Sequence, residues 1–294
     1  MEKSRSVDLQ IAEFLDFKRK ERRAYGTLCY YEECLLHYAK DGKWPPTQDD
    51  ILNFLSHLVD GKHHKPRSPE SAEQTYGRYF RALRAFFRFC YREKNPMEGL
   101  KIKAPRLILP SLPSPEKLAQ INKIPSLRDK AILVLMLETG IRPGELINLR
   151  EDQIDWEHST LVAKGKTGPR PVPFRQTTHR IMLQYLKVRR NPYNSPYFFL
   201  TRTGEQLTSG CLNLIFKRIK KILKIQGKFY PYLCRHIFAT FALRFGSNID
   251  DIRRVLGHSN YNILNVYLNQ SLDDIARSQA SWSVVENLRR IKKG

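Results

Sequence analysis

Apolar residues recur at helical spacing along most of this chain. Over residues 7–21, Leu9, Ile11, Phe14, Leu15 and Phe17 fall near one face, which predicts a helix. A second helix is expected over 27–40 from a Thr27 cap. A third starts at a Thr47 cap, carries Asp49 and Asp50 in its first turn and stops at Gly61. The fourth, over 68–95, is the longest. It sets Tyr79, Phe80, Leu83, Phe86, Phe87 and Phe89 beside Arg78, Arg81, Arg84 and Arg88. The arginines fall on a face partly separate from the aromatics. That face reads equally well as a solvated surface and as a phosphate-contacting one.

The helical period then stops. Prolines at 96, 105, 110, 113 and 115 mark an extended, basic linker. Beyond it, helices are expected at about 115–123, 127–140 and 143–150. Residues 159–166 and 170–174 flank a Thr167-Gly168-Pro169 turn and predict a hairpin. Helices follow over 176–190, 208–224, 232–246 and 248–258. The expected fold is therefore mainly α with a small antiparallel β-sheet in the C-terminal domain. The expected boundaries are a helical domain over 1–100, the linker over 101–113 and a second domain over 114–294. No internal repeat is evident.

Composition supports real cores: 41% of residues are hydrophobic, with 15 Phe and 14 Tyr. No apolar run reaches the roughly 18 residues that a membrane helix needs. The longest, 131–137, reads as a buried helix segment. The N-terminus is charged from residue 2 and lacks the apolar core of a signal peptide, so a cytoplasmic protein is the default expectation. The five cysteines are odd in number and form no repeated C-x-x-C, which argues against a disulfide framework or a zinc module. The Lys-His-His-Lys run at 62–65 reads as a solvated loop, so no metal is expected.

Net charge sharpens the picture. Of the total of +22, residues 1–100 contribute +3, from 18 Lys and Arg against 15 Asp and Glu. Residues 101–294 contribute +19, from 33 against 14. Such a field draws polyanions, and nucleic acid is the common one. The charge is scattered through loops, strands and several helices rather than gathered on one amphipathic helix, so a membrane surface is the weaker partner.

Several enzyme classes lack their signatures here. There is no metal-site carboxylate pattern, no Gly-rich phosphate loop and no G-x-S-x-G. Residues 163–168, Ala-Lys-Gly-Lys-Thr-Gly, miss the P-loop spacing and sit in a hairpin rather than before a helix. What remains is a set of basic residues at special places. Arg142 lies between a helix-ending Gly140 and a helix-opening Pro143, with Glu145 in the following turn. Lys164 is on the hairpin. Tyr232, Arg235 and His236 can share one helix face. His258 follows a helix, with Tyr261 and Tyr267 three and nine residues on, and spacing alone does not choose between them. Two arginines, a lysine, a histidine and a tyrosine, with neither metal nor cofactor, suit attack of a phenol on a phosphodiester. Guanidiniums clamp the non-bridging oxygens, and an ammonium can protonate the leaving oxygen.

These stretches, in this order, resemble the tyrosine recombinase family of integrases and Xer-type enzymes. "TGIRPGELINL" is similar to the family's first arginine box, "AKGKTGPRPVP" to its hairpin motif, "YPYLCRHIFATFAL" to its second arginine box and "LGHSNYNILNVY" to its histidine–tyrosine box. The resemblance implies Arg142 and Arg235 as clamps, Lys164 as general acid, His258 as a hydrogen-bonding partner and Tyr267 as nucleophile. Tyr232 stands where the family usually has histidine; a phenol can donate to a phosphate but is a poor base. Residues 79–101 resemble the exit of the family's core-binding domain. The resemblance implies a two-domain DNA clamp, with Arg81, Arg84, Arg88, Lys101, Lys103, Lys166 and Arg170 as expected DNA contacts. It also implies double-stranded DNA with a specific core site, a tetramer on two sites and no cofactor. Val284, Leu288 and Ile291 form a C-terminal stripe suited to packing on its own core or, in the preferred reading, to docking on a neighbouring protomer. An activating protein partner, a small integrase of a mobile element and a type IB topoisomerase-like enzyme stay open.

Overall fold

A computed structural model describes residues 6–60, 69–91, 93–102, 111–165 and 168–257. The chain divides into two compact units, Met1–Leu107 and Ile108–Gly294, so the division falls inside the proline-marked segment. His258, Tyr261, Tyr267, Lys103, Lys166, the 62–65 run and the C-terminal stripe lie outside the described residues.

The first unit contains α1 (Val7–Lys20), α2 (Tyr25–Asp41), α3 (Gln48–Val59) and α4 (Pro69–Cys90). Thr47 caps α3 as its sequence predicts: its Oγ1 accepts from the Asp50 N–H, and the Asp50 carboxylate accepts from the Thr47 N–H. The expected Thr27 cap is replaced by an earlier start. The Thr27 N–H is already bonded to the Ala24 carbonyl at 2.8 Å, so the first turn forms from Ala24 without a side-chain cap. The core is aromatic. Phe14 meets Tyr31, Phe86 and Phe89 edge to face at ring separations of 5.2, 5.6 and 5.5 Å. On α4 the side chains of Phe80, Leu83, Phe86 and Phe87 are buried, whereas Arg81, Arg84 and Arg88 are exposed, as is Lys101. Arg84 is partly committed within its own unit. Its guanidinium lies 5.0 Å from the Phe80 ring centroid and donates to the Leu100 carbonyl.

The second unit is built around α6 (Leu127–Thr139). Ile132, Leu133, Leu135 and Met136 are all buried, because the helix is covered by α8 (Gln176–Val188) and α10 (Pro231–Arg244). A one-turn α5 (Pro115–Leu118) continues as a 3-10 turn over Ala119–Lys123. The helix expected over 143–150 is shorter: α7 covers Pro143–Ile147 and a 3-10 turn covers Glu151–Gln153. Distant chain takes over the backbone groups there. The Phe198 N–H donates to the Leu149 carbonyl at 2.7 Å and the Glu151 N–H to the Pro196 carbonyl at 3.1 Å.

The sheet has three antiparallel strands in the order β1 (Ile154–Asp155), β2 (Thr160–Gly165) and β3 (Gly168–Pro173). A hairpin forms where one is expected, but its second strand starts earlier: Gly168 and Pro169, read as turn residues, pair with Gly165 and Lys164. β1 is an addition, two residues long and too short to show an alternation in sequence. Ala163 stands opposite Arg170, and Lys164 opposite Pro169. The remaining elements are α9 (Ser209–Ile222) and α11 (Ile249–Leu256). No helix among the described residues is long and apolar enough to cross a membrane.

Candidate active site

The site assembles at the ends of α6, α7, α10, α11 and the β2–β3 hairpin. Gly140 ends α6 in the left-handed conformation, φ +60°, and turns the chain towards α7. Arg142 occupies the position before Pro143, in extended conformation. Its backbone N–H donates to Glu145 Oε2 at 3.0 Å and its Nη1 donates to Glu145 Oε1 at 2.8 Å. Arg235 projects from α10 and is 2% exposed. Its Nη1 donates to the Gly140 carbonyl at 2.9 Å, while its buried Nε has no hydrogen-bond partner.

Three guanidiniums converge on the carbonyl end of α11. Arg170 Nε donates to the Val255 carbonyl at 2.7 Å, Arg235 Nη2 to that of Leu256 and Arg142 Nη2 to that of Gly257 at 3.2 Å. These are the terminal carbonyls that a helix leaves without intrahelical partners, and they carry the negative end of its dipole. The next residue in the chain is His258. The second arginine box and the histidine box are thus joined through backbone, a link that side-chain motifs do not reveal.

One carboxylate balances this charge. Burial alone would raise Glu145, but donors from Arg170, then from the Arg142 backbone and side chain, hold it at about 2. Burial, followed by the neighbouring Arg142 charge, pushes Arg235 down to about 10, so it stays charged at neutral pH. Burial, then Arg235, also lowers His236, whose ring packs edge to face on Tyr232 at 5.5 Å. Tyr232 is 46% exposed, on the same helix as Arg235.

The pKa of Glu145 makes a pH prediction. Because the folded value, about 2, lies below the ordinary 4.5, its stabilisation is complete above about pH 4.5 and is lost as pH falls towards 2. Glu145→Gln should lower stability at neutral pH by about 3 kcal/mol, since two guanidiniums lose their counter-charge. It should also flatten the acid limb of a stability profile obtained by denaturant unfolding from pH 7 to pH 2.

The hairpin approaches this cluster at Gly165. A Cβ there would lie 2.2 Å from Glu145 Oε1 and 3.5 Å from Arg142 Nη1. Lys164, one residue earlier, is exposed on the outer face of β2. Gly165→Ala is expected to cost about 1–3 kcal/mol by overpacking, read as a lower melting temperature, and to slow any reaction that needs Arg142 in place.

Arg170 differs from expectation. It was expected to contact DNA, yet its Nη1 and Nη2 donate to Glu145 Oε1 and Oε2, each at 2.8 Å, and its Nε is taken by Val255. Its side chain is 10% exposed against 27% for Arg142. The reason is strand alternation: Arg170 shares the inner face of β3 with buried Val172, while Pro169, Pro171 and Pro173 face outward. The period-2 pattern could have shown this from sequence. Nothing in the sequence marked the carbonyls of Val255, Leu256 and Gly257 as acceptors.

Residues 114–273 match the Phage integrase family. The chain belongs to this family. Its members are the tyrosine recombinases, site-specific DNA strand transferases, and this chain is one of them. It is 30% identical over 295 residues to tyrosine recombinase XerA of Pyrococcus furiosus, covering 95% of each chain. It is 28% identical to XerA of Pyrococcus horikoshii, again over 95% of each. In fold it is similar to the Tn1549 transposon integrase in complex with a circular intermediate DNA, with TM-score 0.75 at 18% identity over 94% of this chain and 99% of that one. It is also similar to XerH recombinase bound to its difH substrate, with TM-score 0.73 at 18% identity over 97% and 98%. The four boxes read from sequence fall inside the matched region, and the structure brings three of them, those of Arg142, the hairpin and Arg235, to one place.

Proposed function

We propose that this recombinase is Xer-type and cuts a specific core site by direct attack of Tyr267 on the scissile phosphate. The Tyr267 hydroxyl gives its proton to His258 as its oxygen bonds to phosphorus and the 5′ oxygen leaves, giving a 3′-phosphotyrosyl link and a 5′-hydroxyl. Arg142 and Arg235 hold the non-bridging oxygens, Lys164 protonates the leaving oxygen, and His258 and Tyr232 hydrogen-bond the phosphate. A 5′-hydroxyl from the partner duplex then attacks the link. The phosphodiester energy is kept in the covalent link, so neither water nor ATP is consumed.

The observation that carries this reading is the convergence of Arg142 and Arg235 on the carbonyls that lead into His258. Arg235 keeps a buried Nε without a protein partner, a donor available to an anion. The two units close on DNA as a clamp, with the exposed Arg81, Arg84, Arg88 and Lys101 on phosphates together with Lys103 and Lys166. Two successive exchanges pass through a Holliday junction among four protomers, joined through the stripe of Val284, Leu288 and Ile291, beside chromosomal DNA in the cytoplasm. Similarity to XerA over 95% of each chain favours chromosome or plasmid resolution. Similarity to the Tn1549 integrase keeps a small integrase of a mobile element as the second reading.

The test has two stages. DNA bound by the protein is selected from a genomic library. The recovered site is then offered as a nicked duplex, from which cleavage traps a covalent adduct visible on a denaturing gel. Adduct formation without metal or ATP supports the reading, and its absence on every recovered site sinks it. A chromosomal dimer-resolution site supports the Xer role, whereas the end of a mobile element supports the integrase role.

A further inference from the structure

The geometry points to Arg170 as a positioning residue for strand cleavage: it locks the hairpin that carries Lys164 to Glu145 and to the carbonyl end of α11, and so sets the places of Arg142 and of the chain entering His258. This rests on the reading of Arg142 as a phosphate clamp.

Arg170 joins three separate parts of the site. It starts on β3, forks onto Glu145 of α7 and reaches the Val255 carbonyl of α11. The fork fixes both carboxylate oxygens. The same two oxygens receive the backbone and side chain of Arg142. Without the fork, Glu145 can turn towards Arg142 alone, and the Arg142 guanidinium follows it. Glycines permit the close fit. A Cβ at Gly165 would strike Glu145, and one at Gly257, φ +62°, would lie 2.9 Å from Arg170 Cδ. All three nitrogens of Arg170 have protein partners, so its donors are committed internally. Lysine would keep the charge but could neither form the fork nor hold Val255 at the same time.

Arg170→Lys and Arg170→Gln separate positioning from a direct DNA contact. Affinity for the selected DNA is measured against salt. The rate of adduct formation is then measured with all nicked DNA bound. The expected result for Arg170→Lys is cleavage of bound DNA slowed at least about tenfold, with affinity within about threefold and an unchanged salt slope. Adding Glu145→Gln should slow Arg170→Lys little further, because the two residues act as one unit. Parental cleavage of bound DNA by Arg170→Lys would overturn the proposal. So would a salt slope smaller by about one unit with parental cleavage, since that marks a lost phosphate contact. Loss of folding in both variants, read by circular dichroism, would make Arg170 a stability residue and overturn it as well. If the parent forms no adduct on any recovered site, the recombinase mechanism fails and the positioning role falls with it. Adduct from the parent with equal rates from the variants defeats the positioning role alone.

Discussion

Tyr267→Phe is expected to leave no detectable covalent DNA adduct, a loss of at least about 10⁴-fold in cleavage, while Tyr261→Phe cleaves as the parent does. Phenylalanine keeps the ring and removes only the oxygen that would bond to phosphorus. When a nucleophile is lost, the residual rate comes from binding and charge stabilisation and makes no covalent link to that side chain. Binding to the selected DNA should survive, since phosphate contacts come from the basic side chains. Adduct from Tyr267→Phe, or its loss in Tyr261→Phe alone, would move the nucleophile to the other tyrosine. Peptide mapping of the parental adduct provides an independent check, because Tyr232 is also exposed at the site.

Arg235→Lys is expected to slow cleavage by about 10²–10³-fold, the range for removing a preorganised donor from a developing charge. Arg235 holds two carbonyls, those of Gly140 and Leu256, and still has a buried Nε to offer. Its two carbonyl bonds pin the guanidinium before substrate arrives, so little reorganisation remains for the reaction itself. A lysine has one charged nitrogen and cannot span both carbonyls and a phosphate oxygen. The loss should lie in the rate for bound DNA, with affinity changed much less. Burial lowers Arg235 to about 10, and an ammonium in the same place meets the same burial and the same Arg142 neighbour. Raising the pH from 7 towards 9 should therefore slow the Arg235→Lys variant more than the parent. Parental rates at saturating protein would remove Arg235 from the clamp.

The residues most legible in the sequence were those whose environment is local. Pro143 and Gly140 announced the turn that presents Arg142, and the cap at Thr47 was readable because it involves neighbours in the chain. The hairpin was readable from a turn signal between two extended runs. Errors arose where distant chain intervened. The helix after Pro143 stops early because residues 196–198 bond to its continuation. Arg170, which the resemblance put on DNA, has its donors committed to Glu145 and Val255. Its position on the inner face, beside a buried carboxylate, decides this.

Sequence by itself determined the class of this protein: four boxes in order, a basic second half and the absence of cofactor signatures, together with the helical periodicity that builds two cores. A motif names residue types along one chain, and that is enough for chemistry that depends on which groups are present. Only the tertiary structure decided how those groups are held. Arg170, Arg235 and Arg142 each hold one of three consecutive carbonyls at the end of α11, and Glu145 balances two of the three charges. Those bonds join positions 21, 85 and 115 residues apart, through backbone atoms that every residue carries. Backbone acceptors leave no mark in a sequence, so the architecture of the clamp emerges only when the chain is folded.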